Sequence, residues 1–284
     1  MFKYIFIYSL LIKFLFPSSF VAPINDFTKK TSDTFLFPLT PMQGLITDHL
    51  IADGLITLWG FKNWKWNTES FSFKTEDWFE ENSATGGSDK ASHFFMTYLI
   101  SRMLSSRMED RGLDLKSSSL LGSLSGMLAM SLLETGDATS PYGFSKEDLL
   151  ADGLGAISAY FIRTNPFLDD IIDIRVEYFP TTNYLNNPEA AADYSGMKHL
   201  LAFKFSGIEK LEKTSLRYFE LQLGYYARGY RTYDIGIAKS QQIYVGLGLN
   251  LTQFSKEIHI HFLQNLWEFY QPRFTYVEAK IWKR

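Results

Sequence analysis

Apolar residues recur at helical spacing through the first half of the chain. Leu45, Leu50 and Leu58 belong to this pattern between about Pro41 and Gly60, where it predicts the first helix. Three further helical segments follow, separated by glycine-containing stretches, at about 89–108, 117–134 and 146–163. The first half of the chain is therefore predicted to form a bundle of about four helices.

Beyond Pro166 the apolar period changes from 3.6 to 2, which marks a change from helices to strands. The alternation is clearest in 215–225 and 241–252, where every second residue is apolar. Poorer strands are predicted at about 173–179, 195–206 and 273–282, and an amphipathic helix near Lys256 to Tyr270 interrupts them. The predicted fold class is α+β, a helical bundle followed by an antiparallel sheet of about five strands.

Alternation of this kind is typical of a half-buried sheet packed on helices or of a membrane-facing sheet. Five strands are fewer than the about eight of the smallest outer-membrane sheets, which favours packing on helices. The most apolar helical segment has no charge from Ser117 to Leu133, and its Gly122-x-x-x-Gly126 spacing permits close helix approach. We favour a buried core helix over a transmembrane one, because about half of this run is Ser, Gly or Ala.

The N-terminus has the order of a secretory signal peptide. Lys3 precedes an apolar stretch from Tyr4 to Ile12, and small residues lead to Ala22. A retained membrane anchor is the alternative, but Lys13 would then lie near the middle of the span, at a cost of ~3 kcal/mol. We predict a protein exported to the periplasm or outer membrane of a bacterium. The predicted segments are a signal peptide at 1–22, a linker at 23–44, a helical domain at 45–165 and a β-rich region at 166–284.

Composition narrows the classes of partner and chemistry. Aromatic residues make up 17% of the chain, with 25 Phe and 16 Tyr, a richness that suits interfaces and membrane boundaries. A membrane or envelope component is therefore the expected partner, and a protein partner is compatible with it. The net charge of −3 provides no basic field for nucleic acid. With no Cys, we expect no disulfide, no thiolate metal site, no Cys nucleophile and no acylated lipoprotein anchor.

Acidic residues and one histidine are placed where helix ends could meet. Asp89 and His93 are four residues apart, as are Asp148 and Asp152, so each pair shares a helix face. Glu134 stands at the end of the most apolar segment, and antiparallel packing would bring it to the starts of its two neighbours. Such packing could therefore bring these side chains together in one cluster. Its candidate members are Asp89, His93, Glu134, Asp137, Asp148 and Asp152.

Two interpretations of this cluster follow from elementary electrostatics. Acids in the first turn of a helix are favoured by the helix dipole, and other buried carboxylates must be paired, protonated or bound to metal. The structural interpretation makes Asp89 and Asp148 first-turn acids and pairs Glu134 and Asp152 with Lys90 or His93.

In the functional interpretation, His93 with Glu134 and Asp137 or Asp152 forms a metal or acid–base site, since one His with carboxylates can bind a divalent cation or shuttle a proton. The candidate catalytic residues are His93, Glu134 and Asp137. The candidate metal ligands are Asp89, His93, Glu134, Asp148 and Asp152. Ligand recognition without chemistry is a third interpretation.

Other chemical motifs give no support to a specific enzyme class. The sequence has no H-x-x-x-H or H-E-x-x-H pair, and His259 and His261 would diverge on the predicted helix. Gly246-Leu-Gly248 lacks the third glycine and following helix of a dinucleotide-binding loop, so no nucleotide cofactor is indicated. No G-x-S-x-G elbow is present. A divalent metal ion is the cofactor that the acidic cluster could hold.

Four short motifs together resemble the YfiM-like proteins, a family of unknown function described as predicted periplasmic lipoproteins. They are Asp89-Lys-Ala-Ser-His93, Glu134-Thr-Gly-Asp137, Phe144-Ser-Lys-Glu-Asp148 and Asp152-Gly-Leu-Gly155. The resemblance covers about residues 45–165, and longer family members continue into a similar strand-rich tail. The first motif is also similar to VanZ-like membrane proteins, which would favour a membrane-embedded helical half. The resemblance implies an exported protein and a fold, but no reaction, and the lack of Cys departs from the lipoprotein pattern.

We therefore expect an uncharacterised exported cell-envelope protein with a structural or binding role in the periplasm or at the outer membrane. The alternative is a metal- or acid–base-dependent enzyme that acts on a lipid or cell-wall substrate. Its site would use His93, Glu134, Asp137, Asp148 and Asp152. An integral membrane protein is a third possibility, and the sequence does not decide whether the chain is an enzyme.

Overall fold

The computed structural model describes residues 39–182, 184 and 190–284. The predicted signal peptide and residues 23–38 of the predicted linker lie outside these residues. Helix α1, Pro41–Asn63, begins inside the segment predicted as linker. It starts there because Thr40 and Gln43 form a capping box: the Gln43 amide donates to Thr40 Oγ1 at 3.3 Å, and the Thr40 amide donates to Gln43 Oε1 at 3.1 Å.

Three long helices form the centre of the helical half, close to the predicted boundaries. They are α2, Ser88–Asp110; α3, Leu115–Asp137; and α4, Lys146–Thr164. Between α1 and α2, strand β1, Phe73–Lys74, pairs in parallel with β2, Phe144–Ser145. Helix α5, Pro166–Ile171, leads from the bundle into the sheet.

Small residues bring these helices into backbone contact. A Cβ added to Gly122 would lie 2.6 Å from the Ser105 amide nitrogen, and one added to Gly155 would lie 2.3 Å from the Phe94 carbonyl oxygen. The close approach expected from the Gly122-x-x-x-Gly126 spacing is therefore present between α3 and α2. Among the helices of the described ranges, none combines the length and the hydropathy needed to cross a membrane.

The second half of the chain forms a five-stranded antiparallel sheet, which confirms the α+β fold class. The strands lie in chain order, so each pairs with its neighbour in sequence. They are β3, Ile172–Tyr178; β4, Met197–Lys204; β5, Phe219–Arg228; β6, Ser240–Leu249; and β7, Tyr276–Lys283.

Short helices connect these strands, and one prediction fails among them. The single amphipathic helix predicted near Lys256 to Tyr270 is wrong: the segment contains the end of α7, Leu251–Glu257, and then α8, His261–Trp267. The chain breaks between them at His259, whose φ of 57° is incompatible with a continuing right-handed helix. A shorter helix, α6, Glu209–Glu212, precedes β5.

The sheet packs on the helices through one face of β3 and β4, the arrangement that the sequence favoured. Ile174 of β3 joins Phe95 and Tyr98 of α2 and Ala159 and Ile162 of α4 in the main apolar cluster. Burial of each of the larger apolar side chains contributes about 1.5–3 kcal/mol to the stability of the fold.

The other face of the sheet is polar and buried, because the sheet curls so that its first and last strands approach each other over this face. Lys198 Nζ of β4 lies 2.7 Å from Glu278 Oε2 of β7, and Tyr276 Oη of β7 donates to Glu177 Oε2 of β3 at 2.7 Å. The first contact joins β4 to β7, three positions apart in the sheet order, and the second joins β3 to β7, four positions apart. The interior of the curled sheet is therefore filled by polar side chains.

Candidate functional site

The cluster lies where the beginnings of α2 and α4 meet the end of α3. Gly87 precedes α2 with a φ of +83°, a turn that glycine adopts without strain. Ser145 caps α4, and its Oγ accepts the Asp148 amide at 3.1 Å. The structure brings together all the residues expected there from the sequence and adds two neighbours. The side chains are Glu76, Asp89, Lys90, His93, Glu134, Asp137, Asp148, Asp152 and Tyr194.

His93 occupies the centre of this cluster. Its Nδ1 lies 3.2 Å from Asp152 Oδ1 and 3.7 Å from Glu134 Oε1, and its Nε2 lies 4.0 Å from Asp89 Oδ1. Burial alone would lower the pKa of His93, but the hydrogen bond to Asp152 and the charges of Asp148, Asp152 and Asp89 raise it well above its usual value. The imidazole is therefore held between carboxylates on both of its nitrogens.

Lys90 balances the outer part of the cluster. Its side chain is buried, and its Nζ contacts Asp148 Oδ1 at 2.7 Å, Asp89 Oδ2 at 3.2 Å and the carboxylate of Glu76. These pairings agree with the structural interpretation of the sequence: Glu134 and Asp152 both lie against His93, and Lys90 pairs with the first-turn acids. Attraction to Asp89 and Asp148 outweighs the cost of burial and raises the pKa of Lys90.

The carboxylates outnumber their cations. Burial raises the pKa of Glu134 to about 8 and that of Asp137 to about 6, although the charge of His93 lowers both. Burial and the neighbouring Asp89 and Asp148 raise the pKa of Glu76 to about 7. Burial would also raise the pKa of Asp89, but His93 and Lys90 lower it to about 2. Six carboxylates therefore share two cations, and several of them titrate near neutral pH.

Hydrogen bonds from the backbone and from small polar side chains fix the carboxylates. The Ser145 amide donates to Glu134 Oε2 at 3.0 Å, and Thr97 Oγ1 donates to Asp152 Oδ1 at 2.7 Å. Glu134, rather than Asp148, accepts the Ser145 amide, because the Asp148 carboxylate contacts Lys90. The end of α3 is thereby tied to the start of α4.

Three contributors to the site carry no local sequence signal. Glu76 comes from the aromatic-rich loop before α2, and Tyr194 comes from the sheet half and donates to Asp89 Oδ1. Trp66 Nε1 donates to Asp137 Oδ1 at 2.6 Å, and its ring packs where a Cβ on Gly136 would lie. Asp137 consequently lies at the edge of the cluster, bonded to Trp66. Only the tertiary fold brings these residues to the helix ends.

Two sets of side chains have the spacing of metal ligands, with their ligand atoms all within 4.8 Å of one another. The first is Asp89, His93 and Asp148, and the second is His93, Glu134 and Asp152. Lys90 Nζ already contacts both carboxylates of the first set. In the second set, Glu134 and Asp152 are fully buried, and Asp152 Oδ2 has no hydrogen-bond partner among residues 39–182, 184 and 190–284.

One family model matches the part of the chain that contains most of the site. A family described as "Predicted periplasmic lipoprotein (DUF2279)" has a model that matches residues 75–164, less than half of the chain. The match covers α2, α3 and α4 and therefore every residue of the cluster except Tyr194. It fits an uncharacterised protein of the cell envelope and agrees with the predicted export, although it supports neither the YfiM-like name nor the similarity to VanZ-like proteins. No curated protein and no solved structure matches the chain.

Proposed function

We propose that the protein is an exported cell-envelope protein of the periplasm or outer membrane that binds a divalent metal ion through His93, Glu134 and Asp152. One observation carries the proposal: an imidazole nitrogen and two carboxylates from three different helices converge within 4.8 Å in a buried place. Buried carboxylates without a partner are costly, and a bound cation is one of the few ways to satisfy them.

The inner set of ligands is favoured over the outer one. Lys90 neutralises Asp89 and Asp148, so a metal there would have to displace an ammonium group. Among the residues that the structure describes, the cation that contacts Glu134 is the imidazolium of His93, at 3.7 Å. A metal ion would take the place of the proton on His93 Nδ1 and would also bind the unpartnered oxygen of Asp152. A metal in the inner set would replace the ion pairs of protonated His93 with Asp152 and Glu134 by direct coordination, and it would leave the ion pairs of Lys90 intact.

The ligand types and distances define the class of metal. One imidazole nitrogen with two carboxylate oxygens suits divalent zinc, manganese or iron. Ligand atoms at about 2.0–2.2 Å from a zinc ion lie about 3–3.5 Å from one another. His93 Nδ1 lies 3.2 Å from Asp152 Oδ1 and 3.7 Å from Glu134 Oε1, and both distances are close to this range. A small rotation of Glu134 would complete the arrangement.

The proposal is tested by titrating the purified full chain with Mn²⁺ or Zn²⁺ while following its melting temperature and its bound metal. Asp152→Asn removes one ligand charge with little change in shape. Glu109→Gln is the matched control, because Glu109 is a carboxylate at the other end of α2 that pairs with Arg163 at 2.7 Å. We expect one bound ion and a raised melting temperature in the parent and in Glu109→Gln, and at least a tenfold weaker affinity in Asp152→Asn. Equal binding by both variants would rule out the inner set.

A second candidate function is acid–base catalysis on a lipid or cell-wall substrate. It is favoured by the carboxyls of Glu134 and Glu76, whose pKa values of about 8 and about 7 suit proton transfer near neutral pH. Glu76 is about one-third exposed, so the outer edge of the cluster reaches solvent. The test is release of fatty acid or glycan fragments from envelope extracts by the parent and by Glu134→Gln. Turnover that survives in Glu134→Gln, or its absence in the parent, would contradict this function.

A further inference from the structure

Strands β5 to β7 carry their apolar side chains on the outside of the protein. Leu221 is 51% exposed and Leu247 is 46% exposed, whereas Glu220 and Tyr244, on the opposite side of the same strands, are fully buried. The strand register places Leu221 beside Leu247 and continues to Val277, which is 72% exposed. We call this surface the apolar sheet face. It consists of Leu221, Leu223, Val245, Leu247, Leu249 and Val277.

The polar side of these strands is the enclosed one. Gln222 is buried and donates to Glu220 Oε1 at 2.8 Å, and Tyr226 donates to Gln242 Oε1 at 2.6 Å. A sheet that meets water on one side normally turns its polar residues outward. Here β5 to β7 turn leucine and valine outward, which is the arrangement of strands that face lipid.

The helical half also turns large apolar residues outward. The outward residues of α3 and α4 are large and apolar: Leu124 is 53% exposed and Phe161 is 60% exposed. We call this surface the apolar helix face. It consists of Leu120, Leu124, Leu128, Leu154, Ile157 and Phe161.

The residues at the contact between α3 and α2, by contrast, are small and polar. A Cβ on Gly126 would lie 2.2 Å from Ser101 Oγ, and Ser105 and Ser119 are buried. Helices in a lipid environment associate in this way, because burial of leucine offers them no advantage over contact with acyl chains. The helices and the strands therefore point independently to the same surroundings.

We propose that the apolar sheet face and the apolar helix face contact the acyl chains of a membrane. The occupant is lipid rather than a second copy of the chain, because both faces are apolar outside over small or polar residues inside, the arrangement of lipid-facing helices and strands. Contiguous exposed apolar surface of this extent is typical of membrane or protein contact sites. The inference concerns other residues than the metal proposal and does not depend on it.

The absence of Cys from the sequence allows a direct test with single-Cys variants of the full chain. Leu247→Cys and Leu124→Cys place an environment-sensitive fluorophore on the two faces. Ser70→Cys and Ser215→Cys are controls at exposed loop or turn positions. Each labelled protein is mixed with vesicles of phosphatidylethanolamine and phosphatidylglycerol, with or without lipids that carry a doxyl quencher on the acyl chain.

We expect emission from both face positions to shift to the blue, to rise several-fold on vesicle addition and to be quenched by the doxyl lipids, while the two controls change little. All four variants share residues 1–22, so any membrane affinity of that segment is common to them. Unchanged emission at the face positions would overturn the proposal. So would a rise that the doxyl lipids do not quench, which would indicate contact between protein copies.

Discussion

Two of the buried charge clusters in the described part of the protein, one around Arg175 inside the curled sheet and one at the helix ends, differ in charge balance. In the sheet, Arg175 bonds to Asp173 at 2.5 Å and to Glu220 at 2.7 Å, and Lys204 bonds to Asp173 at 2.5 Å. Two cations meet two carboxylates there. At the helix ends, six carboxylates share two cations among the described residues, Lys90 and His93.

Titration behaviour follows from that difference. Burial alone would raise the pKa of Asp173, but Lys204 and Arg175 hold it below its ordinary value. Burial raises the pKa of Glu134 to about 8, although the charge of His93 lowers it. The sheet cluster is therefore a completed structural network, whereas the helix-end cluster retains a capacity for protons or a cation. This contrast is the basis of the metal proposal.

The largest effect is expected when the balanced cluster is broken. Arg175→Met leaves Asp173 and Glu220 buried without their main partner, which should lower the free energy of unfolding by about 3–5 kcal/mol. Urea denaturation measures the loss. A change below about 1 kcal/mol would show that the sheet network does not hold its charges as tightly as its distances indicate.

The helix-end cluster depends on close packing between the helices that carry it. Gly126→Ala places a Cβ 2.2 Å from Ser101 Oγ and 3.0 Å from the Ser101 amide nitrogen, so we expect a loss of about 1–3 kcal/mol. Gly153→Ala, on the solvent side of α4, meets no atom within 4 Å and should stabilise the protein by about 0.5–1 kcal/mol. Equal effects of the two substitutions in thermal denaturation would contradict the packing account.

Removing an unbalanced carboxylate should have the opposite sign to removing Arg175. The pKa of Glu134 is raised in the folded state, from 4.5 to about 8, so its contribution to stability is fully present below pH 4.5 and is lost as the pH rises through 8. Glu134→Gln should therefore be more stable than the parent at pH 9, by about 1–2 kcal/mol, with little gain at pH 5. Denaturation at both pH values checks this, and a loss at pH 9 would contradict the charge excess.

The smallest effect concerns the cap that positions the inner ligands. Ser145→Ala removes the acceptor of the Asp148 amide and should cost about 1 kcal/mol. Asp114→Ala removes the cap of α3 at the far end of the bundle and should cost a similar amount. Only Ser145→Ala should also weaken Mn²⁺ binding, measured by calorimetry. Equal weakening by both would mean that the cap acts through overall stability alone.

Much of the fold follows from local pattern, but the surroundings of the site do not. The i, i+4 spacing of Asp89 and His93 specifies a shared helix face, and short connections specify antiparallel neighbours. Nothing local indicates Glu76 or Tyr194, whose contacts depend on a loop and on the docking of the sheet. Their part in the site is a property of the tertiary fold.

The strands show a second limit of sequence patterns. Alternation defines two faces of β5, but it does not say whether the Leu221 side or the Glu220 side faces inward. The choice depends on the curl of the sheet, which joins Tyr276 to Glu177 across its polar side. The break at His259 is similar, since its positive φ is not marked by a glycine.

The central claim is that a divalent metal ion binds between His93, Glu134 and Asp152. Anomalous diffraction from crystals of the protein grown with Mn²⁺ tests it most directly. The account predicts one anomalous peak at roughly 2.0–2.4 Å from His93 Nδ1 and from a carboxylate oxygen of each acid. Crystals that contain Mn²⁺ but show no peak there, or show one only beside Asp89 and Asp148, would contradict it.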